Sequence, residues 1–126
     1  MFTTLIVEDN LSFRQSLRTM LSERFPEMNV AEAGDAKEAL ERIEAPLPDL
    51  VFMDIRLPGG NGLELTGKIK QNHSRTTVII LTSYDLPEYR EAAREYGADF
   101  FIVKDSTSLE EIRVLVESVS TNRAKF

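Results

Sequence analysis

Short apolar runs alternate along the chain with segments in which apolar residues recur every three or four positions. The runs are TTLIV, NVAEA, DLVFM, TTVIIL and DFFIV, and their β-branched and aromatic content marks them as strands. The spacing between them predicts helices. Phe13, Leu17, Met20 and Leu21 share a face of the first, and Ala36, Ala39, Leu40 and Ile43 a face of the second. Leu86, Tyr89, Ala93 and Tyr96 do so in the fourth, and Leu109, Ile112, Val116 and Val119 in the fifth. The third, from Leu63 to about Gln71, has a weaker stripe with Gly67 inside it. Asp35 suits the N-cap of the second helix, Gly97 the end of the fourth, and Thr107 or Ser108 the cap of the fifth. With Ser108 as cap, Glu111 completes a capping box.

Five strand–helix units with no break in composition predict one α/β domain over residues 1–126. Its core is expected over about residues 4–120, with the polar tail STNRAKF fraying. Right-handed crossovers put helices on both faces of a parallel sheet. The runs LVFM and VIIL are apolar throughout, as strands covered on both faces should be, whereas NVAEA carries Glu32 and belongs at an edge. The fold expected is therefore the doubly wound, flavodoxin-like (βα)5 sheet of order 2-1-3-4-5. Its crevice opens beyond the carboxyl ends of the strands, where the order reverses between strands 1 and 3.

Composition narrows the function classes. The chain has 126 residues, no cysteine and a net charge of −6. Disulfides and thiolate metal sites are excluded, and a reducing, cytoplasmic setting is the expectation. The start MFTTLIVEDN lacks the basic residues and long apolar run of a signal peptide, and four-residue apolar runs fall far short of the roughly 20 needed to span a membrane. An acidic chain makes a poor general nucleic-acid grip but can hold a cation or a basic partner.

The chemistry concentrates at the strand ends. Strand 1 ends in Glu8 and Asp9, strand 3 in Asp54, strand 4 in Thr82 and strand 5 in Lys104. The predicted topology gathers these ends at one rim. Two like charges about 4 Å apart repel by roughly 4 kcal/mol at an effective dielectric near 20, so three clustered carboxylates ask for a cation. Oxygen-only ligands suit Mg²⁺, which keeps several waters and often holds a phosphate. A carboxylate can be a nucleophile that forms an aspartyl phosphate. Lys104 can neutralise phosphoryl oxygens and Thr82 can donate to one. Phosphoryl transfer needs little more than such positioning and charge neutralisation.

With Glu8-Asp9, MDIRLPGGNG, LTS and FFIVK in this order, the chain resembles the receiver domain of a two-component response regulator from Leu5 to about Val119. The resemblance implies that Asp54 accepts a phosphoryl group from a histidine kinase or phosphotransfer protein. It implies that Asp9, Asp54 and the backbone carbonyl of Arg56 bind Mg²⁺, with Glu8 acting mainly through a metal-bound water. Thr82 and Lys104 would hold the phosphoryl oxygens. The added charge, about −1.5 to −2, would draw Thr82 toward the phosphate and let Phe101 swing inward. The face of helix 4, strand 5 and helix 5 would then change shape. Asp105 stands where many relatives have proline, so a cis peptide after Lys104 would lack the residue that makes such bonds cheap. Phe101 stands where many have tyrosine. Beside the site, Arg56 and Tyr84 are expected to tune the phosphate's lifetime by shaping water access. Partners implied are the kinase, a second copy in a phosphorylation-dependent homodimer, and an output such as a C-terminal DNA-binding domain.

Plainer readings exist for each residue. A strand-end acid often only caps a turn, and Glu8 and Asp9 also suit the positive end of helix 1. Taken singly, Thr82 is an ordinary strand residue and Lys104 a surface lysine. Phe100 and Phe101 point to opposite faces, so one of them belongs to the core. His73, Lys68, Lys70 and Arg75 read as solvated surface, and Tyr89 and Tyr96 as packing helix 4 onto the sheet. Three other functions compete. An aspartyl-phosphate hydrolase of the haloacid dehalogenase type needs a second acid two residues after the nucleophile, where this chain has Arg56. A flavin electron carrier needs a hydroxyl-rich phosphate loop where this chain has EDNLSF. An interaction module independent of phosphorylation has no need for the intact site. The reading favoured is a switch whose only catalysis is its own phosphorylation and dephosphorylation.

Overall fold

A computed structural model of the chain describes residues 2–44 and 47–124. Its strands are β1 (Thr3–Val7), β2 (Asn29–Ala33), β3 (Leu50–Asp54), β4 (Thr77–Thr82) and β5 (Phe100–Val103). They alternate with α1 (Leu11–Arg24), α2 (Ala36–Ile43), α3 (Gly62–Asn72), α4 (Pro87–Glu95) and α5 (Leu109–Ala124). All five strands pair in parallel, in the order β2-β1-β3-β4-β5. This is the flavodoxin-like sheet expected from the sequence.

Alternation along each strand divides the core in two. Leu5, Val7, Val51, Met53, Val78 and Ile80 point to one face, where Ala39, Ile43, Leu63, Ile69 and Ala93 of α2, α3 and α4 cover them. Ile6, Leu50, Phe52, Ile79 and Leu81 point to the other, under Leu17, Leu21, Ile112 and Val116 of α1 and α5. Both sides of β3 and β4 are thus apolar because both are covered. Glu32 lies on the edge strand β2, where Arg14 Nε and Arg18 Nη1 donate to its carboxylate at 3.0 and 2.8 Å.

The expected caps form. Asp35 accepts from Glu38 N–H at 2.8 Å, and Ser108 and Glu111 bond reciprocally at 3.1 Å. Gly97 follows α4 with φ +95°, the left-handed C′ conformation that glycine adopts without strain. Two further caps, Asn10 on α1 and Asn61 on α3, went unread in the sequence.

Several side chains depart from expectation at the borders of the periodic faces. Leu40 is 47% exposed, because Ala36, Ala39 and Ile43 alone fill the narrow stripe that α2 buries. Leu86 and Leu109 lie at helix starts and are partly exposed. Tyr96 is 41% exposed and packs beside Gly67 of α3 rather than on the sheet, since it sits at the last turn of α4. His73 is half-buried as the C-cap of α3, its Nε2 3.7 Å from Glu44. The polar tail, expected to fray, continues α5 as far as Ala124.

Lys70 differs most from its reading as solvated surface. Its side chain is only 17% exposed, with the stem against Gly97. Its Nζ donates to Ser74 O, Thr76 O and Asp99 Oδ2, and Asp99 in turn accepts from Val78 N–H. One ammonium therefore ties α3, the entry to β4 and the loop before β5. Lys70→Met keeps the stem and removes the donor. It should lower stability to chemical denaturation by about 1–2 kcal/mol, whereas Lys68→Met, on the exposed face of α3, should be nearly neutral.

Candidate functional site

The carboxyl ends of β1, β3, β4 and β5 meet at one rim, as the topology requires. Beyond β3 the chain makes a small antiparallel hairpin that pairs Arg56 with Asn61 and Leu57 with Gly60. Pro58 and Gly59 form its turn, with Gly59 at φ +78°, the conformation a type II turn demands of its third residue. Pro58 O accepts from Ala36 N–H, which fixes the hairpin against α2. The next residue after the hairpin, Gly62, starts α3 directly against the Asp54 carbonyl.

Glu8, Asp9 and Asp54 each offer a carboxylate oxygen, and the three oxygens lie within 4.8 Å of one another. Glu8 is fully buried, the Asp54 carboxylate is about 10% exposed, and Asp9 faces solvent. Lys104 Nζ joins the two buried acids, in direct contact with Glu8 Oε1 and 3.2 Å from Asp54 Oδ2. Glu8 Oε2 accepts from Asn10 N–H at 3.0 Å. Burial pushes the Glu8 carboxyl up to about 7, against the pull of Lys104 and the Asn10 N–H. Burial also works against the Lys104 ammonium, yet Glu8 and Asp54 outweigh it and hold its pKa above the ordinary lysine value.

Thr82 is buried at the end of β4, one step beyond Leu81, the register partner of Asp54. Its Oγ1 accepts from Tyr84 N–H at 3.1 Å. Lys104 opens a single turn of 3-10 helix, Lys104–Ser106, in place of a proline loop. Phe101 is half-buried against the cluster under α2, α3 and α4, with the Arg90 guanidinium 4.7 Å from its ring centre, while Phe100 is exposed. Arg56 lies exposed, its guanidinium 3.9 Å from the Tyr84 ring centre.

The donor set fits a hard divalent cation. All three acids present oxygen, and Glu8 Oε1 is buried without a hydrogen bond of acceptable geometry despite its ion contact with Lys104. A single lysine faces two buried carboxylates, with Asp9 adding a third.

Glu8, Asp9, Asp54, Arg56, Thr82, Tyr84 and Lys104 lie at or beside this rim, whereas Phe101 lies further back on β5, paired with Ile80. Four supporting residues were not read as such. Phe13, assigned to the core stripe of α1, has its ring 5.0 Å from Lys104 Nζ. Arg14 Nη1 donates to Glu8 O at 2.8 Å. Tyr89, assigned to the packing of α4, reaches Arg56 with its hydroxyl. Gly62 has no signal beyond being a glycine in the first turn of a helix, where a cap alone would suffice.

A family model for the response regulator receiver domain matches residues 4–117. The DNA-binding transcriptional activator DevR/DosR of Mycobacterium tuberculosis is 35% identical over 125 residues, which cover 98% of this chain and 57% of that protein. A cyclic di-GMP phosphodiesterase of Thermotoga maritima is 35% identical over 121 residues, 96% of this chain and 32% of that one. The chain thus spans about half the length of the first curated relatives, and a third of some others. Among solved structures, a LuxR-family two-component response regulator from Aurantimonas sp. SI85-9A1 is 32% identical with TM-score 0.83, covering 95% of this chain and 85% of that one. The N-terminal domain of a Wolinella succinogenes protein superposes with TM-score 0.89 at 29% identity, covering 99% and 98%. With its sheet order and its strand-end residues already accounted for, the chain belongs to the response regulator receiver domain family of two-component systems.

Proposed function

We propose that the chain is a phosphorylation switch in which Asp54 is the phosphoacceptor. The observation that carries this reading is the pairing of a three-acid cluster with one largely covered lysine, its side chain 11% exposed, that bridges Glu8 and Asp54. An Asp54 oxygen attacks the phosphorus of a phosphohistidine on a kinase or phosphotransfer protein. The oxygen–phosphorus bond forms, the phosphorus–nitrogen bond breaks, and the histidine nitrogen leaves with the electron pair. Lys104 turns its ammonium from the carboxylate to a phosphoryl oxygen. The Thr82 hydroxyl, an acceptor from Tyr84 N–H, donates its proton to another. Mg²⁺ held by Asp9, Asp54 and the Arg56 carbonyl, with Glu8 behind it, would supply the remaining charge neutralisation.

The movement of Thr82 toward the phosphoryl group draws the loop after β4 with it. That change biases Phe101 inward and reshapes the face of α4, β5 and α5, to which an output domain or a second copy would respond. Relatives include a transcriptional activator and a phosphodiesterase, each longer than this chain.

The direct test is to incubate the chain with Mg²⁺ and acetyl phosphate and record its intact mass. One phosphoryl group should appear, depend on Mg²⁺, and be absent from Asp54→Asn. No gain, together with no spectroscopic response to beryllofluoride, would favour the phosphorylation-independent module instead. A second expectation concerns lifetime. The Arg56 guanidinium lies 3.9 Å from the Tyr84 ring centre, and this pair would limit the approach of water to a phosphoryl group on Asp54. Replacing both by alanine should speed dephosphorylation by about tenfold, equivalent to about 1.4 kcal/mol in the barrier. An unchanged rate in a single-turnover decay would sink this role.

A further inference from the structure

Arg56 is bound from outside the site by α4. Its Nε and Nη2 both donate to the Tyr89 hydroxyl, at 3.3 and 3.1 Å. Arg56, Tyr89 and Asp9 line one shallow cleft of about 480 Å³ beside the acid cluster. Arg56 is two residues from Asp54 and feels its charge. The edge of a guanidinium formed by Nε and Nη2 is one that grips a phosphate with two parallel bonds, and here a neutral phenol occupies it. A phosphoryl group carries about −1.5 to −2 and three acceptor oxygens, so the guanidinium meets an opposite charge there and only a neutral acceptor at the phenol.

We propose that Tyr89 is a positioning residue that holds the Arg56 guanidinium on α4 in the unphosphorylated chain, and that a phosphoryl group on Asp54 competes with the Tyr89 hydroxyl for it. This rests on the reading of Asp54 as phosphoacceptor. It adds a link from the site to α4 that does not pass through Thr82 and Phe101. Phosphorylation loosens the hold of Arg56 on α4, and by linkage any partner that moves Tyr89 away from Arg56 favours the phosphorylated form. The bond is solvent-exposed, which makes it weak enough to exchange.

The test is a double-mutant cycle with Mg²⁺ and beryllofluoride as the phosphoryl analogue, read by NMR titration of the chain. Tyr89→Phe removes only the hydroxyl. It should tighten beryllofluoride binding by about 2- to 10-fold, the factor that corresponds to one net hydrogen bond. In an Arg56→Ala background the same substitution should change nothing. In the wild type, the Arg56 Nε–H resonance should shift on saturation, and that shift should shrink in Tyr89→Phe because the free-state bond is already gone. Equal affinities for wild type and Tyr89→Phe would overturn the competition, and so would a gain that persists without Arg56. Failure of every variant to bind beryllofluoride would instead overturn the Asp54 reading, and the competition with it.

Discussion

Gly62→Ala is expected to lose about 3 kcal/mol or more of stability and to slow phosphorylation of Asp54 by about a hundredfold. Helix propensity predicts the opposite, since alanine is favoured over glycine inside a helix by about 1 kcal/mol. Room decides the sign. A Cβ on Gly62 would lie 1.9 Å from the Asp54 carbonyl oxygen, 2.8 Å from its carbonyl carbon and 2.9 Å from Met53 Cγ. The first two atoms are backbone and cannot swing aside as a side chain would. The first turn of α3 must therefore lift away, or the end of β3 must shift and carry the Asp54 carboxylate with it. Either movement also strains the bond from Gly62 N–H to Ile55 O and that from the Thr66 hydroxyl to Gly62 O, both 2.8 Å. Gly59→Ala is the control. Its positive φ would strain an alanine by roughly 1 kcal/mol, yet among the described residues nothing lies within 4 Å of the added carbon. Gly59→Ala should thus be slightly less stable and phosphorylate at the normal rate. Urea denaturation and the rate of phosphorylation by acetyl phosphate check both. A Gly62→Ala chain as stable and as reactive as the wild type would show that β3 does not depend on this contact.

The features legible in the sequence share a physical cause. A strand buried on both faces cannot afford polar residues, so Val51–Met53 and Val78–Leu81 announce themselves, and the first polar residue after each marks the rim. The strand-end positions of Asp54 and Thr82 are legible in this way, and that of Lys104 likewise after β5. Glu32 gave away the edge strand because a carboxylate in mid-strand needs somewhere to go, and two arginines of α1 meet it there. What periodicity cannot report is the width of a buried stripe or the reach of a long side chain. Leu40 and Tyr96 fit the helical spacing but lie where the covered surface has run out. Lys70 looks like surface because charge is read at the tip, while its stem packs and its tip finds three acceptors. Phe13 and Tyr89 were rightly placed on inward faces of their helices. The pattern says nothing of where the far edge of a ring ends, and these rings end at Lys104 and Arg56. Gly62 matters through a contact with backbone 8 residues earlier, which no side-chain pattern encodes.

The second large effect is a dependence of metal-free stability on pH that Mg²⁺ removes. Glu8 is fully buried, and burial raises its carboxyl from 4.5 to about 7 in the folded chain. Between those two values the folded state keeps a proton that the unfolded state has released. More protons bound to the native state means that stability falls as pH rises. The penalty is absent below about 4.5, where both states are protonated, and complete above about 7, where both are ionised. Its size is on the order of 3 kcal/mol. Lys104 does not interfere in this window, because its raised pKa keeps it charged until well into the alkaline range. Glu110, whose carboxyl Arg113 holds below the ordinary value, acts at the acid end and in the other direction. Denaturation of the metal-free chain should therefore show lower stability at pH 7.5 than at pH 5.5. Glu8→Gln should flatten that difference, since the amide carries no charge to bury. Saturating Mg²⁺ should also flatten it in the wild type, because a cation at the acid cluster favours the ionised carboxylate and adds binding energy that grows with pH. A wild type whose stability rises between pH 5.5 and 7.5 without metal would mean that Lys104 alone satisfies Glu8. The case for a cation at this cluster would then rest on Asp9 and Asp54 only.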